Sequence, residues 1–189
     1  MKSCLYKKLF EGVLMKKILL MLFLVSELFG ADHDLYDKSI ALTAHYSFND
    51  YDMDIKDSGG WGFRFTSNSS TENFWEVGGY QLSFDYTSES EYISTPDKKS
   101  NIYRFGGNLL WYFDNDSQFT PFALVGAGIE IFGETKDNIE NGVFGTVGGG
   151  VEYQLRGDLS FLAESKWFYG GDEEKSLVAS FGMKYSFGQ

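Results

Sequence analysis

The chain is poor in the residues that build cross-linked or helical folds. It has one cysteine, Cys4, and two prolines, Pro96 and Pro121, in 189 residues. Cys4 lies in an N-terminal stretch that reads as removable. The rest of the chain then has no thiol for a disulfide framework, a zinc knuckle or a nucleophile. No cysteine follows the N-terminal apolar run, which argues against a lipid anchor. That run, Ile18 to Phe29, is too short to cross a bilayer as a helix, which needs roughly 20 apolar residues. A mean hydropathy of -0.24 does not suit a hydrophobic helical bundle. Positive charge is also scarce: 16 Lys and Arg against 27 Asp and Glu, for a net charge of -11. Such a chain repels nucleic acid, so no nucleic-acid partner is expected.

What is abundant is aromatic residues, at 18%, and glycine, with 22 residues. That mixture favours strands and turns over helices. The start of the chain reads as a secretory leader. Lys16 and Lys17 precede the apolar run, and Gly30 and Ala31 offer a small-residue cleavage point before Asp32-His33-Asp34. Residues 1–31 are assigned to the leader, with Met15 an alternative initiator, and residues 32–189 to one domain. Removing the leader takes away Lys2, Lys7, Lys8, Lys16 and Lys17 but only Glu11 and Glu27, which makes the remainder more acidic still.

From Ser39 onward the dominant period is two. In Ile102 to Phe113, Tyr103, Phe105, Leu109, Trp111 and Phe113 share one face, while Ile102, Arg104, Asn108, Leu110 and Tyr112 share the other. In Leu177 to Phe187, Leu177, Phe181, Met183 and Tyr185 alternate with Val178, Ser180, Gly182 and Lys184. Six further segments repeat the pattern, around Ile40–Phe48, Trp61–Thr66, Tyr80–Tyr86, Ala123–Ile131, Val143–Leu155 and Leu159–Tyr169. Eight segments of near-spanning length, apolar on one face, predict an all-β fold: an eight-stranded antiparallel transmembrane up-and-down β-barrel. Closure is required, because an open edge in lipid leaves backbone groups unpaired. Pro96 falls in a loop and Pro121 at a strand start, where a missing N–H is tolerated. Tyr and Trp residues near segment ends suit the water–lipid boundary.

Acidic, polar tracts follow segments one, three, five and seven, whereas Asp114–Gln118 and Arg156–Asp158 are short. Outer-membrane barrels have long external loops and short periplasmic turns. The alternation predicts a bacterial outer-membrane location with both termini periplasmic. Expected partners are outer-membrane lipid and lipopolysaccharide, with no ligand of the loops identified.

The stretch Phe119-Thr120-Pro121-Phe122-Ala123-Leu124-Val125-Gly126-Ala127-Gly128 resembles a strand start common in the OmpA-like outer-membrane barrel family. Gly145 to Tyr153 and the ending Lys184-Tyr185-Ser186-Phe187 resemble it too. The resemblance covers roughly residues 37–187 and implies recognition by the barrel-assembly machinery through a final strand ending in an aromatic. Here Phe187 is followed by Gly188 and Gln189. The peptidoglycan-binding domain of many such proteins is not expected, so cell-wall tethering is not carried over.

Parity places Arg64, Arg104, Lys166 and Lys184 inside the barrel with Asp85, Glu130, Glu152 and Glu164. Four cations face four anions in an interior that eight strands fill with side chains. This predicts an ionic plug, whose pairings one sequence cannot assign. The leading functional expectation is a structural or surface-interacting barrel. The alternatives are a low-conductance, porin-like channel and an adhesin or host-factor binder acting through acidic loops. Catalysis is not expected: His45 and Ser47 share the inward face of the first segment but lack a convergent third group. No cofactor is expected. Asp50, Asp52 and Asp54, followed by Asp57, are weak calcium candidates, because the Gly and terminal Glu of a complete calcium loop are missing.

Overall fold

A computed structural model describes residues 38–49, 56–68, 77–91, 99–113, 117–134, 139–170 and 175–187. The proposed leader, the alternative start at Met15, and Asp50, Asp52 and Asp54 lie outside the described residues. Eight strands run in chain order: β1 (Lys38–Asn49), β2 (Ser58–Asn68), β3 (Gly79–Glu91), β4 (Lys99–Tyr112), β5 (Phe119–Glu134), β6 (Ile139–Arg156), β7 (Leu159–Gly170) and β8 (Lys175–Phe187). Each pairs antiparallel with the next, and β8 returns to β1, closing the barrel. The terminal end carries Lys38 opposite Phe187, and the loop end lies at the other pole.

Register fixes the girth. Following Cα partners once around the sheet from Lys38 passes through Ser67, Tyr80, Leu109, Val125, Val147, Trp167 and Leu177 and returns to β1 at Phe48, ten residues on (48 − 38 = 10). With ordinary strand rise and spacing, a stagger of that size over eight strands gives a tilt of about 40° and a backbone radius of about 8 Å. Side chains fill a cylinder that narrow.

The period-two pattern resolves as apolar outside. Leu42, Val143 and Phe181 are 63%, 69% and 68% exposed, while Ser39, Thr43 and Ser47 on the opposite face of β1 are buried. A barrel in water would bury the apolar set instead; lipid is the environment that matches this exterior. Aromatic side chains pack along it across strands: Trp61 on Phe84 (5.3 Å between centroids), Phe84 on Phe105 (4.8 Å) and Tyr86 on Tyr103 (5.1 Å).

Two details differ from the sequence reading. Strands continue into tracts that read as loops, because cross-strand pairing persists beyond the apolar belt: Ser90 pairs with Ser100, and Phe132 with Glu140. Gln154 shares the parity of inward Glu152 yet is exposed, since β6 is irregular between Gln154 and Arg156 as it enters the turn to β7.

Inward glycines make room for long neighbours. A Cβ on Gly128 would sit 2.1 Å from the Phe105 carbonyl oxygen and 2.5 Å from the Phe144 ring, whereas one on outward-facing Gly107 would meet nothing within 4 Å. Gly128→Val is therefore expected to abolish the SDS-resistant, heat-modifiable band of the folded barrel, while Gly107→Val retains it. Electrophoresis with and without boiling checks this, and equal behaviour of the two variants refutes it.

Candidate functional site

The eight charged side chains assigned to the interior belong to seven strands, β2 to β8, and the structure brings them into three groups. Three strands, β2, β3 and β7, converge on the central group. Arg64 on β2 holds Asp85 on β3 at 2.7 Å. It also crosses to β7, donating from Nε and Nη2 to Glu164 Oε1 at 3.2 and 3.0 Å. Lys166 Nζ lies 2.9 Å from Glu164 Oε1 and 3.9 Å from Asp85 Oδ2. Arg64 Nη1 donates to the carbonyl oxygens of Phe63 and Phe84, both at 3.1 Å. Two cations and two anions, all essentially inaccessible, make a neutral tetrad that bridges opposite walls. Charges buried this deeply require close partners and additional hydrogen bonds.

The second group is Arg104 on β4 with Glu130 on β5, Cα partners in the sheet, with Arg104 Nε donating to Glu130 Oε2. The guanidinium carbon lies 4.7 Å from the Phe168 ring centroid, a cation–π contact. The third is nearer the terminal end. Lys184 on β8 donates to both oxygens of Glu152 on β6, at 2.8 and 2.7 Å. The Tyr112 hydroxyl donates to Glu152 Oε1 at 3.3 Å, and its ring lies 5.5 Å from the Lys184 ammonium. Each group is neutral by itself.

His45 enters the edge of the tetrad. Its Nδ1 lies 3.6 Å from Asp85 Oδ1, and its Nε2 is 3.0 Å from Thr87 Oγ1. Ser47, its same-face neighbour, donates instead to Asn49 Oδ1 at 2.8 Å. The structure thus pairs His45 with Thr87 rather than Ser47. Thr87 is 1% exposed, inside the packed interior. Asp57 accepts from the Asn49 backbone N–H at 2.9 Å. No group of three or more potential metal ligands occurs among the described residues.

The interior also has a division that charge counting misses. On β1, β2 and β3 every buried inward side chain but Ala41 is polar, and β8 adds Ser176, Ser180 and Lys184 with Val178 as its apolar exception. The facing strands, β4 to β7, carry most of the large apolar side chains, set between their charged ones. Ala41, Leu110, Phe122, Leu124 and Leu162 form one cluster, and Phe144, Phe168 and Val178 form another. Along β7 the inward order is Leu162, Glu164, Lys166, Phe168, so apolar packing flanks the tetrad on both sides. Parity carried this signal, since Leu162 and Phe168 share a face with Glu164.

Removing Arg64 leaves two buried carboxylates facing one lysine. Arg64→Leu is expected to lower the temperature at which the folded band is lost, at a stability cost of about 3–5 kcal/mol. The double variant Arg64→Leu/Glu164→Leu leaves Asp85 with Lys166 and should recover part of that loss. Thermal gel-shift midpoints measure both, and a double variant no better than the single one contradicts the balanced tetrad.

Comparison with known proteins agrees with this architecture. The crystal structure of the Neisserial surface protein NspA aligns with a TM-score of 0.56 at 14% identity, covering 80% of this chain and 97% of that one. Ail of Yersinia pestis, solved with the heparin analogue sucrose octasulfate, gives 0.58 at 15%, covering 81% and 99%. OprG of Pseudomonas aeruginosa gives 0.51 at 12%, covering 83% and 98%. At these identities the likeness is one of fold. Among curated proteins, none matches the sequence. The family model for the outer membrane protein beta-barrel domain matches residues 19–187, and the chain belongs to that family of bacterial outer-membrane barrels.

Proposed function

We propose that this protein is an integral outer-membrane barrel with a structural and surface-interacting role and a lumen plugged by its own ion pairs. The observation that carries the reading is the balance of the interior: the eight inward charges form three neutral groups, the central one tying β2 and β3 to β7. Such groups brace a narrow cylinder against collapse and obstruct its axis. With the termini periplasmic, the acidic tracts after β1, β3, β5 and β7 face the exterior. Outer-membrane lipid and lipopolysaccharide are then the immediate partners, and the barrel-assembly machinery inserts the chain through its final strand.

The charge of this chain bears on which surface ligands it could take. The net charge of -11 disfavours a soluble polyanion of the kind solved with Ail. The packing around His45 and Thr87 supports a non-catalytic role, because the pair lies within a filled interior.

Orientation and insertion are testable together. An epitope inserted between Glu91 and Lys99 should be labelled by antibody on intact cells, and one appended after Gln189 only after permeabilisation. Surface labelling of the C-terminal epitope would reverse the orientation. A protein that stays soluble and shows no heat-dependent mobility shift would end the membrane reading.

A further inference from the structure

His45 is a titratable group inside the barrel that the ion pairs do not use, and its side chain is fully buried. In the sheet it is the Cα partner of Gly60 on β2, and Gly60 is the partner of Thr87 on β3. The three residues form one row, and the middle one has no side chain. The imidazole lies over that gap: a Cβ on Gly60 would sit 2.5 Å from Nε2. Passing over β2, Nε2 reaches Thr87 Oγ1 at 3.0 Å. One hydrogen bond thus ties β1 to β3 across the strand between them. Thr87 is also the last residue of β3 before its register with β4 shifts; the next pair is Ser90 with Ser100. The bridge therefore ends at the root of the β3–β4 hairpin at the loop end.

The other ring nitrogen, Nδ1, has no hydrogen-bond partner. Asp85 Oδ1 lies 3.6 Å from it, beyond hydrogen-bond reach, and Arg64 Nη2 holds that oxygen at 2.7 Å. The charged groups around the imidazole are Arg64 on β2, Asp85 on β3, Arg104 on β4 and Lys166 on β7. Glu164 pairs with Arg64 and Lys166, and Glu130 with Arg104. β1 and β8 present Thr43, Ser47 and Ser180, none of them charged. A neutral imidazole suits this setting. It has one N–H, and the Thr87 hydroxyl can donate to Nε2 or accept from it. A second proton does not suit it. Three cations, Arg64, Lys166 and His45, then face two anions, Asp85 and Glu164, in a buried site where the excess is poorly screened. The imidazolium is drawn toward Asp85 and away from Thr87.

We propose that His45 is a proton-sensitive latch. Neutral, it holds β1 to β3 over Gly60 and fixes the root of the β3–β4 hairpin. Protonated, it releases Thr87 and loosens that hairpin. The inference rests on the ion-braced barrel proposed above and gives that barrel a response to mildly acidic surroundings, where imidazoles titrate. The uncompensated positive charge costs stability, so the folded barrel weakens as pH falls from about 8 to about 5.5.

The test is the thermal gel-shift midpoint of the purified barrel across that window, in which ordinary carboxylates and lysines do not titrate. Amide hydrogen exchange in β3 and β5, corrected for the intrinsic effect of pH, is read on the same samples. The midpoint is expected to fall by about 4 °C on acidification, as linkage to roughly one proton gives. Exchange should rise by about tenfold in β3 from Thr87 onward and stay unchanged in β5. His45→Gln, whose amide can meet Thr87 but takes up no proton, should lose the response to pH, and His45→Asn serves if that variant fails to fold. The chain has two histidines, so His33→Gln is the control and should keep the response. Thr87→Val should show the fast β3 exchange at every pH. A heat-modifiable wild type whose midpoint is flat with pH overturns the latch and leaves the barrel intact. So does a response that survives His45→Gln, or a falling midpoint without faster exchange in β3. A wild type with no gel shift at any pH would instead overturn the barrel reading.

Discussion

The backbone hydrogen bonds between β1 and β8 are the constraint on which the rest depends. In hydrocarbon an unpaired N–H or carbonyl has no water to turn to, so a sheet can span lipid only if its first and last strands meet. Pairing from Lys38–Phe187 to Asn49–Ser176 meets that demand over the whole of β1. Closure with a stagger of ten residues then sets tilt and radius together, leaving no free choice of lumen size.

A cylinder so narrow dictates its filling. Long side chains must cross it, and they fit only where a neighbouring strand offers glycine. Gly62 faces the Arg64–Asp85 pair, and Gly128 faces the Phe144 ring. Lipid outside and confinement within also remove water as a partner for charge, so every inward cation needs an anion within reach. Three neutral groups answer that requirement more economically than one extended network, because each balances its own charge within a few ångströms. Apolar clusters separate the tetrad from the Lys184–Glu152 pair and line one half of the interior.

Fold class and strand order were legible because lipid enforces the simplest of patterns. Outward residues are apolar while the charged residues of the spanning segments face inward, so period two survives in each strand, even in β2 with Trp61, Phe63 and Phe65 against Arg64 and Thr66. Strand ends were less legible. Beyond the apolar belt the alternation lapses, and only pairing across the hairpin shows that Ser100 or Glu140 still belongs to a strand. The partner of His45 was not legible, for a related reason. Ser47 is near it in sequence, but a staggered, closed sheet brings Thr87 of β3 to the imidazole.

By itself the sequence marked the inward face of each strand and the balance of charge on it, because facing depends on local alternation; it failed where β6 turns irregular at Gln154. The tertiary structure alone decided which charges meet. Arg64 could have paired with any inward acid; closure and stagger bring Glu164, a hundred residues away, to 3.0 Å while leaving Glu130 to Arg104. Pairing depends on register accumulated around the whole barrel, and no single strand carries that information.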